Sequence, residues 1–320
     1  FLTFDNTFLS GTPYQLAILN VEDENGNAII PIAEPFIVTV FPNIGDLAIS
    51  EILSDPYSGG TDFVEIYNKS DNFINLNGLI ISNINKEEEK KIDQDIELLP
   101  DEYICFTEDK EFLISTYPTH DVDQIIEVDL PSFNNDSGNV SLSHSSASTD
   151  YIDQFDYDEG LHFELLDDTE GVSLERISFT ADTQSEDNWH SASTTAGLAT
   201  PGIANSNSLP TEVTDGEFEL VEKVFSPNSD GDNDFLIINY KLDKPGYVAN
   251  VKVFDDEGFE IDQIVSNGIL ATEGLITWNG TTSEGSISQI GLYIIIAELF
   301  HSDGEIKNFK KVCVLADFIK

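Results

Sequence analysis

Short apolar runs, each cut off by a cluster of Gly, Asn, Asp, Ser or Pro, recur along almost the whole chain. No run approaches the roughly 18 apolar residues that a membrane helix needs. Between Asp46 and Asn207 the runs read DLAISEIL, DFVEIYN, INLNGLIISN, EYICF, QIIEVDL, NVSLSH, YIDQFDY and VSLERISF. After Asp215 they read FELVEKVF, FLIINYKL, YVANVKVFD, GLITWNG, GLYIIIAELF and NFKKVCVL. Evenly spaced strands with turn residues between them point to β-sandwiches. The expected fold class is therefore all-β, in tandem sandwiches with one short helix in the central one. That helix is expected in TEDKEFLISTYP, with Thr107 as its cap, Glu108 and Asp109 favouring its N-terminal end, and Pro118 closing it.

The 320 residues suit two domains of ordinary size and a fragment of a third. Residues 1–45 hold two alternating runs, YQLAILNV and FIVTVF, around DENGN, where Asn25-Gly26 predicts a hairpin turn with both residues at positive φ. Some forty residues rarely bury enough surface to stand alone, so the remaining strands of this unit are expected upstream. The chain contains no Met, shows no signal peptide and opens in mid-pattern, which reads as a section of a longer precursor. Residues 46–208 form the second unit, Leu209–Asp215 (LPTEVTD) a linker, and residues 216–320 the third. The charged stretch from Asn85 to Asp95 reads as a solvated hairpin tip.

Sixty acidic residues against fourteen basic ones give a formal charge of -46, a surface that repels nucleic-acid phosphates and anionic headgroups. A hydrophobic fraction of 40% with 21 Phe separates the chain from acidic disordered sequences, because those rings bury large apolar areas. Cys105 and Cys313 fall in different units and inside strand-like runs, so they read as buried thiols rather than a disulfide.

The string DLAISEILSDPYSGGTDFVEIYNKSDNFINLNGLIISN resembles the opening of a bacterial lamin-tail domain, and VSLERIS, Asn188-Trp189 and TPGIANS (Thr200–Ser206) resemble its close. Ser50 departs from the Asn common in bacterial copies. In residues 216–320 the succession FSPNSDGDND, VKVFDDEG, WNG and GLY is similar to the C-terminal immunoglobulin-like, FlgD-like domains of Bacteroidota exported proteins. That resemblance implies a domain read by the type IX secretion system. YQLAILNVEDENGN resembles the last strands of a bacterial immunoglobulin-like domain of the SbsA type. Together these imply immunoglobulin-like sandwiches and an extracellular, outer-membrane-associated location.

Catalytic motifs are not evident: His120, His144, His162, His190 and His301 are scattered, and there is no HExxH, G-x-S-x-G or Gly-rich phosphate loop. Two constellations stand out. Asn228, Asp230, Asp232 and Asp234 place oxygen donors at every second position, which reads either as an Asx-rich turn or as ligands for one structural calcium ion. Glu65 shares a strand face with Phe63 and Tyr67, so its buried charge needs a partner. Arg176 is the chain's one Arg and is the expected partner, in a structural Glu65–Arg176 ion pair. The function these features suggest is a non-catalytic structural or binding array on an exported surface protein, with a protein or glycan partner at the cell surface or in an outer-membrane complex. The alternative is the accessory region of a secreted hydrolase such as a nuclease or phosphatase.

Overall fold

A computed structural model describes residues 7–28, 30–146, 149–164, 166, 168–209 and 216–317. Of the expected linker only Leu209 lies within the described residues. The N-terminal hairpin pairs β1 (Pro13–Ile18) antiparallel with β2 (Ile32–Ile37), and Tyr14 stacks on Phe36 across it. The second strand lies four residues earlier than FIVTVF suggests. The end of that run is diverted: Val40 donates to the Phe73 carbonyl (2.8 Å) and accepts from the Asn75 amide (2.9 Å), tying it to the next unit. The turn also differs, because only Gly26 (φ 82°) is left-handed. Its amide bonds the Asp23 carbonyl, and the Asp23 carboxylate takes the Asn25 and Asn27 amides, so Asn25 keeps an ordinary conformation.

The central unit is a sandwich. Its strands are β3 (Leu47–Leu53), β4 (Phe63–Asn68), β5 (Ile74–Asn75), β6 (Ile80–Asn83), β7 (Glu88–Lys91), β8 (Glu97–Leu98), β9 (Tyr103–Thr107), β10 (Ile125–Glu127), β11 (Ser137–Ser143), β12 (Tyr151–Asp158), β13 (Leu174–Arg176) and β14 (Trp189–Ser191). One sheet runs β10-β9-β4-β3-β13-β14 and the facing sheet β12-β11-β6-β7, with β5 and β8 as a small ribbon. Alternation sends Leu47, Ile49, Ile52, Val64, Ile66, Ile104, Phe106, Leu174 and Trp189 inward against Val140, Leu142 and Phe155. The β6–β7 hairpin carries the charged tip into solvent, as expected.

The six-stranded sheet is covered on its other face as well. There Leu53, Phe63 and Cys105 meet Leu113 and Tyr117 of the helical segment, Ile125 and Ala199. The helix, α1 (Lys110–Thr116), is capped by Asp109, whose side chain accepts from the Phe112 amide. Thr107 is not the cap because it ends β9 and its hydroxyl donates to the Asp62 carbonyl (3.0 Å).

The C-terminal unit adds β15 (Glu217–Leu220), β16 (Val224–Phe225), β17 (Leu236–Lys241), β18 (Val248–Asp255), β19 (Glu260–Ile269), β20 (Glu273–Trp278), β21 (Gly291–Phe300) and β22 (Ile306–Leu315). Sheets β15-β17-β20 and β16-β22-β21-β18-β19 enclose Phe218, Tyr240, Trp278, Ile295 and Cys313. Strand β19 escapes the sequence reading because its pairing with β18 slips at three places, which breaks the alternation. The described chain is all-β and immunoglobulin-like, with a single short α-helix among the described residues.

Candidate functional site

Among the described residues, three buried glutamates gather on the outer face of the six-stranded sheet. Cross-strand register aligns Cys105 (β9), Glu65 (β4), Glu51 (β3), Glu175 (β13) and His190 (β14) in one row. The three glutamates are wholly buried, at 0% exposure each. A β-bulge between Ile49 and Glu51 helps to build the row, turning Ser50 so that its hydroxyl donates to Glu65 Oε1 (2.7 Å) while Ile49 and Ile52 stay in the inner core.

The row is covered by a strap, residues 192–209, that leaves the sheet after β14. The 3-10 turn Thr194–Ala196 starts it, and left-handed Gly197 (φ 88°) turns it back across the sheet. Glu65 Oε2 accepts from the Gly202 amide (2.6 Å). Glu51 accepts from the Ser173 hydroxyl and the Thr200 amide (2.9 Å). Glu175 accepts from the Ser206 amide (3.0 Å) and hydroxyl (2.8 Å), and from the Asn207 amide (2.9 Å) and side chain (2.7 Å). Asn205 Nδ2 bonds the carbonyls of Ser50 (2.8 Å) and Arg176 (2.9 Å), where the β3–β13 ladder has ended. Burial first, and Glu175 second, push the Glu51 carboxyl up to about 8. Burial and the neighbouring Glu51 hold Glu65 well above the usual range. Glu175 is raised by burial too, against the pull of its many donors.

Glu65 and Arg176 are not partners. Arg176 is next to Glu175 in the chain, so it points to the opposite face of the sheet. There its guanidinium meets Asp153 of β12 (2.8 Å) and donates to the carbonyls of Ser178 (3.2 Å) and Ala181 (3.0 Å). Asp153 also accepts from the Ile49 amide (2.9 Å) and the Thr183 hydroxyl (2.6 Å), so the pair clips the two sheets together. The predicted burial of Glu65 holds, but a hydroxyl and a backbone amide stand where a cation was expected.

The strap continues into the C-terminal unit. Thr272 donates its amide to the Ser206 carbonyl (2.9 Å) and its hydroxyl to the Ser208 carbonyl (2.8 Å). Thr194 Oγ1 donates to the Ile269 carbonyl (2.9 Å), and Thr195 Oγ1 lies 2.9 Å from the Tyr240 hydroxyl. On the other side of this junction a cleft of about 710 Å³ gathers three histidines that look scattered in the sequence, His162, His190 and His301. Burial lowers His162 to about 4 and lowers His190 as well, keeping both neutral. No spacing in the sequence signals this meeting, because it depends on how two sandwiches abut.

The loop of Asn228, Asp230, Asp232 and Asp234 is a chain of Asx turns. Asp234 accepts the amides of Ser229 (2.6 Å) and Gly231 (2.9 Å), Asn228 that of Asp230 (2.9 Å), and Asp230 that of Asp232 (2.9 Å). Among the described residues no group of three or more His, Cys, Asp or Glu is placed to hold a metal ion. Cys105 and Cys313 are buried free thiols in separate cores.

Fold and register thus define immunoglobulin-like sandwiches in series. Residues 42–159 match the family model of the Lamin Tail Domain, which covers the first part of the central sandwich and ends before the strap. No curated protein matches the chain. Similar solved structures include FlgD from P. aeruginosa, 21% identical, TM-score 0.23, covering 34% of this chain and 75% of that one. Dimeric latent PorU from Porphyromonas gingivalis is 11% identical, TM-score 0.25, covering 92% of this chain and 23% of that one. PorZ, a surface component of the type-IX secretion system of Porphyromonas gingivalis, is 11% identical, TM-score 0.24, covering 84% of this chain and 39% of that one.

Proposed function

We propose that this chain is a non-catalytic structural module array of an exported bacterial surface protein, whose sandwiches act as linked, stiff units in adhesion, scaffolding or attachment to an outer-membrane assembly. The observation that carries this reading is the strap. A set of buried carboxylates and their hydrogen-bond donors binds the strap to the central sandwich, and the strap's Ser206 and Ser208 carbonyls bond Thr272 of the next one. Acids arranged to join two units inside the protein serve mechanical continuity, whereas catalytic acids face a substrate cleft. The strong negative charge suits a module that stays soluble and avoids nucleic acid. No helix among the described residues is long and apolar enough to cross a membrane.

Small-angle scattering of the whole chain tests the reading. One compact two-lobed body of fixed separation is expected, and Thr272→Val should broaden the distance distribution. Two independently tumbling lobes in the wild-type chain would refute stiff linkage. Nuclease or phosphatase turnover by the purified chain would favour the hydrolase alternative instead.

Structural calcium at Asn228, Asp230, Asp232 and Asp234 is a further part of this proposal. Asp232 and Asp230 are its expected charged ligands, supporting the start of the C-terminal sandwich. The Asx turns already satisfy the loop's amides, so the added stability is expected to be modest.

A further inference from the structure

Glu65, Glu51 and Glu175 occupy adjacent strands with no cation between them. The row is flanked by the Cys105 thiol, which burial pushes up, and by the neutral His190. Tyr103 and Tyr117, both raised by burial, are the other titratable groups that feel Glu65 and Glu51. The strap from Leu198 to Ser208 brings no titratable side chain, and Arg176 lies on the far face of the sheet. The carboxylates therefore depend on hydrogen-bond donors and on protons.

Counting donors locates one proton. Thr200 Oγ1 stands 3.0 Å from Glu51 Oε2 and 2.9 Å from Glu175 Oε1. A hydroxyl has a single proton and can donate to only one of them. The other contact sets lone pair against lone pair unless that carboxyl supplies a proton itself. Glu175 has four further donors, from Ser206 and Asn207, whereas Glu51 has two, from Ser173 and the Thr200 amide. The anion is better held on Glu175, and the proton belongs on Glu51.

We propose that Glu51 is a neutral carboxylic acid donating to Thr200 Oγ1, which donates in turn to an ionised Glu175, and that this relay is a proton-dependent latch holding the strap, and with it the second sandwich, on the sheet. Loss of the Glu51 proton to solvent base leaves one hydroxyl between two carboxylates. The latch then opens as the pH rises. This goes beyond stiff linkage of the units by making the stiffness depend on pH.

The test uses the whole chain in a D62N/E65Q background, because burial pushes Asp62 up to about 7 and holds Glu65 well above the usual range, so both carboxyls would otherwise contribute to the same band. Infrared difference spectra between pH 6 and pH 10 should show a protonated-carboxyl carbonyl band that disappears with rising pH and is absent in Glu51→Gln. Hydrogen exchange supplies the second readout. Protection of the Thr200, Ser206 and Asn207 amides, corrected for intrinsic exchange, should fall by about tenfold per pH unit above the titration point in the parent. In Glu51→Gln, whose amide can donate to Thr200 at any pH, that fall should vanish. Absence of the band in the folded parent, or an equal fall in both proteins, overturns the proposal. If Glu51→Gln does not fold, the parent's band decides: no pH-dependent loss of such a band refutes the latch, and its loss together with amide protection supports it.

Discussion

Replacing Arg176 with Ala tests how the two sheets of the central sandwich are held together. The side chain is 2% exposed and its partner Asp153 is 13% exposed. The substitution strands the Asp153 carboxylate, leaving it the Ile49 amide and the Thr183 hydroxyl but no countercharge. It also unbonds the carbonyls of Ser178 and Ala181. Breaking a buried pair on one side costs about 3–5 kcal/mol. For a unit of this size each kcal/mol moves the melting temperature by roughly 2–4 °C, so a drop of roughly 6–20 °C is expected. The assay is urea unfolding followed by fluorescence. The chain has two Trp residues, one in each sandwich, so a Trp278→Phe background leaves Trp189 as the reporter, stacked 3.7 Å from Phe155. Lys86→Ala on the charged hairpin tip is the control and should stay within about 0.5 kcal/mol. A double-mutant cycle of Arg176→Ala with Asp153→Ala should show a coupling of about 1–3 kcal/mol, while a cycle with Glu65→Gln should be additive within about 0.5 kcal/mol. Equal, small losses for Arg176→Ala and Lys86→Ala, or coupling to Glu65 instead of Asp153, would refute the clip.

Stability should also depend on pH with a definite sign. The fold raises Glu51 from 4.5 to about 8 and so binds its proton more tightly than the unfolded chain, which makes this contribution largest below pH 4.5 and lost as pH rises to 8. The fold lowers His162 from 6.5 to about 4, so that group's contribution is lost as pH falls from 6.5 to 4. The two slopes oppose each other below pH 6.5, and between 6.5 and 8 a net decline of about 1.4 kcal/mol per pH unit per proton is expected from urea midpoints; Glu51→Gln should reduce it by one proton's share, leaving that of Glu65 and Asp62. Gly202→Ala should destabilise by at least about 1–2 kcal/mol, since the residue is left-handed and an added Cβ would lie 2.7 Å from the Asp121 carbonyl oxygen; thermal unfolding unchanged from the parent would argue against the strap path. Millimolar calcium should raise the melting temperature of the C-terminal sandwich modestly, and Asp230→Ala with Asp232→Ala should abolish the gain; no heat of binding would leave the loop as plain Asx turns.

How much of this was legible in the sequence depends on what each feature requires. The strands of the C-terminal sandwich show as period-two runs because each buries one face, whereas those of the central six-stranded sheet show as short apolar runs between turn residues because both faces are covered. The short helix shows because polar capping residues precede it. Even the burial of Glu65 was legible, from its place between Phe63 and Tyr67. Its partner was not, for two physical reasons. The bulge at Ser50 shifts the alternation of β3 by one residue, and β13 is only three residues long. Which of Glu175 and Arg176 faces the row is therefore fixed by pairing with β3, through the register Glu175↔Glu51, and not by any local pattern. A second obstacle was the assumption that a buried carboxylate is matched by a cation. In a chain with fourteen basic residues against sixty acidic ones, cations are scarce, and this fold uses what is abundant: backbone amides, Ser and Thr hydroxyls and Asn side chains. Those donors come from Thr200, Gly202, Ser206 and Asn207, in a strap with no periodicity whose residues look like ordinary loop. An acidic β-sandwich that buries carboxylates in a row thus makes its covering loop the structural partner. Substitutions in that loop should consequently cost more than equal substitutions in the exposed β-hairpins.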